Sequence, residues 1–128
     1  TMTRTPLLLF VFTALLAGCT PGQPVAIQHV VLIKLNDVGQ AAALLEDCDT
    51  ALPGIDGVLM YWSGTPDQSG RVSPAIDTDW DVAVCVGYAD ADAYSAYVDD
   101  PAHVDLVRRW KPRFTWLRIH DVAVSVDN

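Results

Sequence analysis

The alternation of apolar and polar residues along the chain predicts four β-strands. Each strand-like run is rich in β-branched or aromatic residues, and the runs are Ile27–Leu35, Val58–Ser63, Trp80–Tyr88 and Phe114–Val124. Apolar residues at helical spacing lie between these runs, in stripes over residues 41–52, 91–98 and 101–110. The resulting order, β-α-β-β-α-β, matches the split βαβ arrangement and predicts an α+β fold.

Local signals indicate where the helices begin and end. Asn36-Asp37 is typical of a helix start, and Pro53-Gly54 ends the first stripe. Asp90 is placed to cap the second helix. Pro101 can open the third helix, because the first helical position needs no N–H donor.

The helices of such a fold cover one face of the sheet and leave the other face bare. Period two places a mostly apolar set on that bare face, comprising Val30, Leu32, Cys85, Trp116 and Val122. A patch of this kind is too large to leave in water, and a second copy placed face to face would cover it. The sequence therefore predicts a twofold homodimer.

The chain has 16 acidic residues against eight Lys and Arg. This balance argues against nucleic-acid binding, because neutralising phosphates requires clustered cations. Five of the eight basic residues nevertheless lie near the last helix, namely Arg108, Arg109, Lys111, Arg113 and Arg118. They are typical of a solvated helix C-terminus; the alternative is a docking patch for an acidic ligand or lipid headgroups.

The N-terminal segment has the pattern of a secretory signal, with Arg4 followed by a short apolar run and small residues. Leu16-Ala17-Gly18-Cys19 resembles the bacterial lipobox, in which the cysteine sulfur carries diacylglycerol, and Thr20 resembles sorting to the outer membrane. We expect residues 1–18 to be a lipoprotein signal peptide, residues 19–25 the lipidated Cys19 and its tether, and residues 26–126 the domain. The expected location is the cell envelope, anchored by lipid at the periplasmic face of the outer membrane.

Two cysteines remain once Cys19 is lipidated. Cys48 lies on a helical stripe and Cys85 on a strand, so we expect two free, buried thiols rather than a disulfide. Neither has the Cys-x-x-Cys spacing of a metal or redox site. Asp99 and Asp100 beside His103 are typical of helix caps, and we predict neither a metal nor a cofactor.

The candidate chemistry lies in the stretch Tyr97–His103, where a proline turn separates a phenol from an imidazole. Histidine can take a proton from an acidic carbon near neutral pH, and a phenol can orient it or donate to a developing enolate. The alternative interpretation is structural: Tyr97 is a core residue with a satisfied hydroxyl, and His103 bonds a backbone carbonyl and holds the turn.

Several motifs, taken together and in order, resemble the stress-responsive A/B barrel domain family, also called Dabb. The similarity covers roughly residues 27–124 and rests on residues 29–35, 52–58 and 80–84, on Tyr97-x-x-x-Pro101-Ala102-His103 and on Ile119-His120-Asp121. The resemblance implies a ferredoxin-like monomer that pairs into a dimeric α/β barrel. It also implies a pocket between sheet and helices within each monomer.

The resemblance further implies specific site residues. Family members that cyclise polyketides use the tyrosine and histidine of this motif as an acid/base pair, with a histidine of the first strand nearby. The corresponding catalytic candidates are Tyr97, His103 and His29. The implied ligand-binding wall consists of Val31, Ile33, Ala41, Leu45, Val84, Leu106, Phe114, Leu117 and Ile119.

We therefore expect a lipid-anchored, extracytoplasmic Dabb domain that dimerises and binds a small apolar or aromatic ligand in an intramonomer pocket. One alternative is a cofactor-free cyclase or lyase with His103 as base and Tyr97 as its partner. The other is an envelope interaction protein that uses the long irregular segment Thr65–Asp79 and has no small-molecule site.

Overall fold

The computed structural model describes residues 22–125 of the chain. The predicted signal peptide and Cys19 lie outside the described residues. The strands and helices follow the predicted order: β1 (Ile27–Leu35), α1 (Ala41–Ala51), β2 (Met60–Gly64), β3 (Val82–Tyr88), α2 (Ala91–Asp99), α3 (Pro101–Trp110) and β4 (Phe114–Ala123). Short 3-10 turns, Val38–Gln40 and Lys111–Arg113, precede α1 and follow α3.

Aspartates cap the helices at the positions that the sequence indicates. The Asp37 side chain accepts a hydrogen bond from the Gly39 N–H at the turn before α1, and Asp90 accepts one from the Ala93 N–H at the start of α2. Asp100 caps α3, whose first residue is Pro101. Each cap satisfies a donor that the first helical turn leaves without an intrahelical partner.

The four strands form one antiparallel sheet in the order β2-β3-β1-β4. This confirms the predicted ferredoxin-like α+β fold. In this register Val31 of β1 lies opposite Val84 of β3 and Ile119 of β4, and His29 lies opposite Asp121. Directly opposed residues share a face, so His29 and Asp121 both point toward the helices.

The core lies between the helices and that face of the sheet. Leu44 and Cys48 of α1, and Tyr97 of α2, are almost fully buried there. They pack against β3, whose seven residues are all buried because it lies between two other strands. Cys48 and Cys85 are both free and buried, as the sequence predicts.

The opposite face of the sheet is less bare than the alternation of residues predicts. Cys85, expected on the exposed patch, is completely buried, because in the register its neighbours are Val30 of β1 and Trp62 of β2. Gly87 is also covered, since a Cβ there would meet Met60 and Val25 atoms at 2.9 Å. Trp62 and Val122 remain 45% and 47% exposed.

The segment between β2 and β3 is tied to the sheet by ion pairs. Asp79 and Asp81 lie within 3.5 and 3.2 Å of the Lys34 ammonium, and Asp77 lies 3.8 Å from the Arg118 guanidinium. The Asp81 carboxylate also accepts a hydrogen bond from the Leu35 N–H. Across residues 22–125, none of the helices has the length and apolar character that crossing a bilayer requires.

Candidate functional site

A cavity of about 530 Å³ lies between the sheet and the helices. Its walls are mostly apolar, and a few polar and aromatic groups interrupt them. The lining residues are His29, Val31, Ile33, Leu44, Cys48, Leu52, Val84, Tyr94, Tyr97, Val98, His103, Leu106, Val107, Trp110, Lys111, Phe114, Trp116, Leu117 and Ile119.

The three catalytic candidates from the sequence all line this cavity. The Tyr97 and His103 ring centroids are 4.6 Å apart, and those of His29 and Tyr97 are 6.4 Å apart. Three different elements deliver them, since His29 is on β1, Tyr97 on α2 and His103 on α3. The turn at Pro101 allows two helices adjacent in sequence to aim their side chains at one point.

Seven of the nine predicted wall residues line the cavity, namely Val31, Ile33, Val84, Leu106, Phe114, Leu117 and Ile119. The other two, Ala41 and Leu45, do not border it and instead pack against the core as partly buried residues. Trp116, expected on the bare face, contributes to the cavity lining. It lies beside the irregularity at which the β1–β4 register shifts between Lys34 and Leu35.

The imidazole of His29 is held by two side chains, Asp121 and Tyr94, that were not among the predicted site residues. Its Nδ1 atom lies 2.7 Å from Asp121 Oδ1 and 2.8 Å from the Tyr94 hydroxyl. The same hydroxyl donates to the Asp121 carboxylate at 3.1 Å. A carboxylate can only accept, so the His29 Nδ1–H donates to Asp121, and Nε2 of the neutral ring remains an acceptor.

The two phenols of the site are hydrogen-bond donors at neutral pH. Burial raises the pKa of Tyr97 above its ordinary value. Burial, reinforced by the hydrogen bond to Asp121, raises the pKa of Tyr94 to about 12. Both groups therefore stay protonated near pH 7, and neither can act as a base there.

His103 makes the backbone contact that the structural interpretation predicts. Its Nδ1 lies 2.9 Å from the Val98 carbonyl oxygen, which can only accept, so Nδ1–H donates. This bond ties the start of α3 to the end of α2. It also leaves Nε2 of the neutral ring free to accept a proton, so the same bond is compatible with a chemical role.

The sequence carries partial signals for Tyr94 and Asp121. Tyr94 is three residues before Tyr97, which places both on one side of α2. Asp121 shares its parity with Leu117 and Ile119, which places it on the helix-facing side of β4. Parity alone does not show that Asp121 lies opposite His29.

The sequence profile of one family, described as the stress responsive A/B barrel domain, matches residues 27–124. No curated protein matches the sequence.

Solved structures with the same fold come from several bacteria. A Dabb family protein with a ferredoxin-like fold from Mesorhizobium loti is 27% identical, with a TM-score of 0.65 over 80% of this chain and 100% of that one. A dimeric ferredoxin-like protein of unknown function from Thermobifida fusca is 21% identical, with a TM-score of 0.65 over 80% and 93%. A dimeric ferredoxin-like protein of unknown function from Bacteroides fragilis is 20% identical, with a TM-score of 0.60 over 77% and 95%.

Proposed function

We propose that this chain, which belongs to the stress responsive A/B barrel (Dabb) domain family, binds a small apolar or aromatic molecule between its sheet and helices. The observation that carries the proposal is the cavity itself. Its volume of about 530 Å³ falls within the range of small-molecule sites, and such sites combine apolar walls with a few convergent polar groups.

The polar groups at one end of the cavity support the binding of a ligand that carries a hydroxyl or carbonyl. We call this end, formed by His29, Tyr97 and His103, the His29 end. The His29 Nε2 can accept a hydrogen bond, whereas the Tyr97 hydroxyl is protonated and can donate one. The remaining walls offer mainly dispersion contacts.

A second candidate function, a cofactor-free cyclase or lyase, is favoured by the hydrogen bond from His29 to Asp121 at 2.7 Å. A carboxylate on Nδ1 fixes the tautomer and stabilises the imidazolium that forms when Nε2 takes a proton from carbon. Either His29 or His103 could be that base, and Tyr97 could donate to the enolate oxygen. The same imidazolium would return the proton after ring closure.

We also propose that the domain is a homodimer anchored to the envelope through Cys19. The lipobox-like sequence supports the anchor. The exposed apolar side chains Trp62 and Val122 support dimerisation, as do the T. fusca and B. fragilis neighbours, which are described as dimeric. Mass spectrometry of the mature protein from a bacterial host should find diacylglycerol on Cys19; an unmodified N-terminus would refute the anchor.

Intrinsic fluorescence provides the test of ligand binding, because Trp110 and Trp116 line the cavity. Titration with a panel of aromatic acids should change the emission saturably. A flat response to the whole panel would contradict the proposal and favour an envelope interaction role for Thr65–Asp79. If the protein also converts a ligand to product, His103→Ala or His29→Ala should slow product formation. Unchanged product formation in both variants would exclude these two histidines as the base.

A further inference from the structure

Among the residues that line the cavity, the cation is Lys111, which lies away from the His29 end. Lys111, the first residue after α3, lines the cavity together with Trp110 and Trp116. The Arg113 guanidinium lies over the Trp110 ring at 4.6 Å, and the Arg118 guanidinium lies over the Trp116 ring at 4.1 Å. We call this end of the cavity the Lys111 end.

Two of these cations have no carboxylate within 4 Å in the described part of the chain, although acidic residues outnumber basic ones two to one. Within residues 22–125, neither Lys111 nor Arg113 belongs to an ion pair. By contrast, Lys34, Arg108, Arg109 and Arg118 each lie within 4 Å of a carboxylate. Of these two, Lys111 lies on the cavity wall, whereas the charge of Arg113 also acts on Asp47. Lys111 therefore offers a favourable position for an anion brought by a ligand.

The His29 end is electrostatically different. The Asp121 carboxylate lies 2.7 Å from the His29 Nδ1 and disfavours a second negative charge nearby. At this end the His29 Nε2 can accept a hydrogen bond from a ligand, and the Tyr97 hydroxyl can donate one. The eight residues of helical rise from His103 to Lys111 separate the two ends by about 12 Å.

We infer that the ligand is an elongated amphipathic anion, with its carboxylate or comparable group at the Lys111 end and a neutral hydroxyl or carbonyl at the His29 end. Its apolar body lies along Val31, Leu117 and Ile119, which line the wall between the ends. This inference rests on the proposed binding function and adds the charge, the length and the orientation of the ligand.

Three probes of equal chain length test the inference by calorimetry: decanoate, ω-hydroxydecanoate and decanol. The wild-type protein should bind decanoate at least about fivefold more tightly than decanol, because a charge-assisted contact exceeds a neutral one. ω-Hydroxydecanoate should bind at least as well as decanoate. The preference for decanoate over decanol should weaken as salt is added, since Lys111 is exposed and screened.

Two variants locate the effect. Lys111→Gln should bring decanoate to the affinity of decanol while leaving decanol binding unchanged, and Lys111→Glu should weaken decanoate further. Arg71→Gln, which removes an exposed cation from the segment between β2 and β3, is the matched control and should change neither affinity. Circular dichroism would verify that each variant is folded.

The outcomes separate this inference from the proposed function. Equal affinity for decanoate and decanol, or a preference that survives Lys111→Gln, would overturn the charge and orientation and leave the binding function intact. A wild-type protein that binds none of these probes and none of the aromatic acids would overturn both. A preference for decanoate that Arg71→Gln also removes would show general charge attraction and would overturn the Lys111 assignment.

Discussion

His29 carries most of the chemistry that single residues contribute to the site. Its ring is almost fully buried and lines the cavity, and its Nδ1 donates to Asp121. Tyr94 completes the arrangement by donating to the same carboxylate while its ring lies 4.9 Å from that of His29. Asp121 is therefore a positioning residue for His29.

A double-mutant cycle tests this arrangement. Tyr94→Phe and Asp121→Ala should each lower the free energy of unfolding by about 1 kcal/mol, since each removes hydrogen bonds from a part-buried network. Because the two residues share one network, the double variant should lose at least about 0.5 kcal/mol less than the sum. Urea denaturation followed by circular dichroism measures all three.

The matched control uses a phenol that bonds a different carboxylate. Tyr61 of β2 donates to Asp49 of α1 at 2.7 Å. Tyr61→Phe combined with Asp121→Ala should therefore be additive. Additivity in the Tyr94 and Asp121 pair as well would contradict the shared network.

For single residues, the sequence predicts which side chains could take part in chemistry more readily than it predicts which side chains are in contact. Tyr97 and His103 could be selected because their spacing across Pro101 is local. Pairing of His29 with Asp121 joins residues 92 positions apart, and it depends on the register between β1 and β4. Alternation constrains a residue's face but leaves the register open, so this partner could not be derived from the residues alone.

Among the elements, α1 and α3 are joined by one carboxylate. Asp47 on α1 accepts hydrogen bonds from the Arg109 guanidinium and from the Trp110 indole N–H, both at 2.7 Å. The Arg109 hydrogen bond, followed by that of Trp110, lowers the pKa of Asp47 below its ordinary value. Trp110 is buried and lines the cavity, so this contact also positions a wall of the site.

The lowered pKa of Asp47 predicts a pH dependence with a definite sign. A group whose pKa is lower in the folded state stabilises the protein above its unfolded pKa of about 3.9 and loses that contribution as the pH falls further. Asp47→Asn should therefore lower the free energy of unfolding near neutral pH, and its difference from wild type should shrink below about pH 4. The loss should be modest, because the side chains of Asp47 and Arg109 are both more than a third exposed.

Urea denaturation at several pH values measures this dependence. Asp56→Asn, at an exposed position after α1, is the control and should leave the pH profile close to that of wild type. A difference between Asp47→Asn and wild type that stays constant from neutral to acidic pH would contradict the contact.

The elements themselves are largely predictable from the sequence, because helix caps and strand alternation are local. The observed β1 has the predicted bounds, and α2 begins after the predicted cap Asp90. The helical stripe of α1 does not predict which of its residues border the cavity. It identifies a core-facing side, but Leu44 and Cys48 border the cavity whereas Ala41 and Leu45 do not. Which part of a buried stripe meets a void depends on how the helices are placed, and local patterns do not specify that placement.

For the whole molecule, the bare face of the sheet predicts association. Trp62 on β2 and Val122 on β4 lie on that face and remain nearly half exposed. The burial of Cys85 reduces the uncovered patch, but two large apolar side chains on opposite edge strands still favour a covering partner. A second copy would cover both in one isologous interface.

Sedimentation velocity tests that association. The wild-type domain should sediment as a dimer at micromolar concentration, and Trp62→Glu combined with Val122→Glu should sediment as a monomer, because two charges per copy would be buried without partners. Val72→Glu, at a position that is 92% exposed between β2 and β3, should remain a dimer. A monomeric wild type would contradict the proposal.

Whether the cavity admits a ligand can be decided by calorimetric titration of naphthoate into wild type, Ile119→Trp and Val104→Trp. Ile119 lines the cavity, whereas Val104 on α3 is half exposed and does not. We expect saturable binding to wild type and Val104→Trp, weakened at least about tenfold in Ile119→Trp because the larger ring occupies the space that the ligand needs. Equal affinity in all three proteins, or no binding heat in any of them, would contradict this expectation.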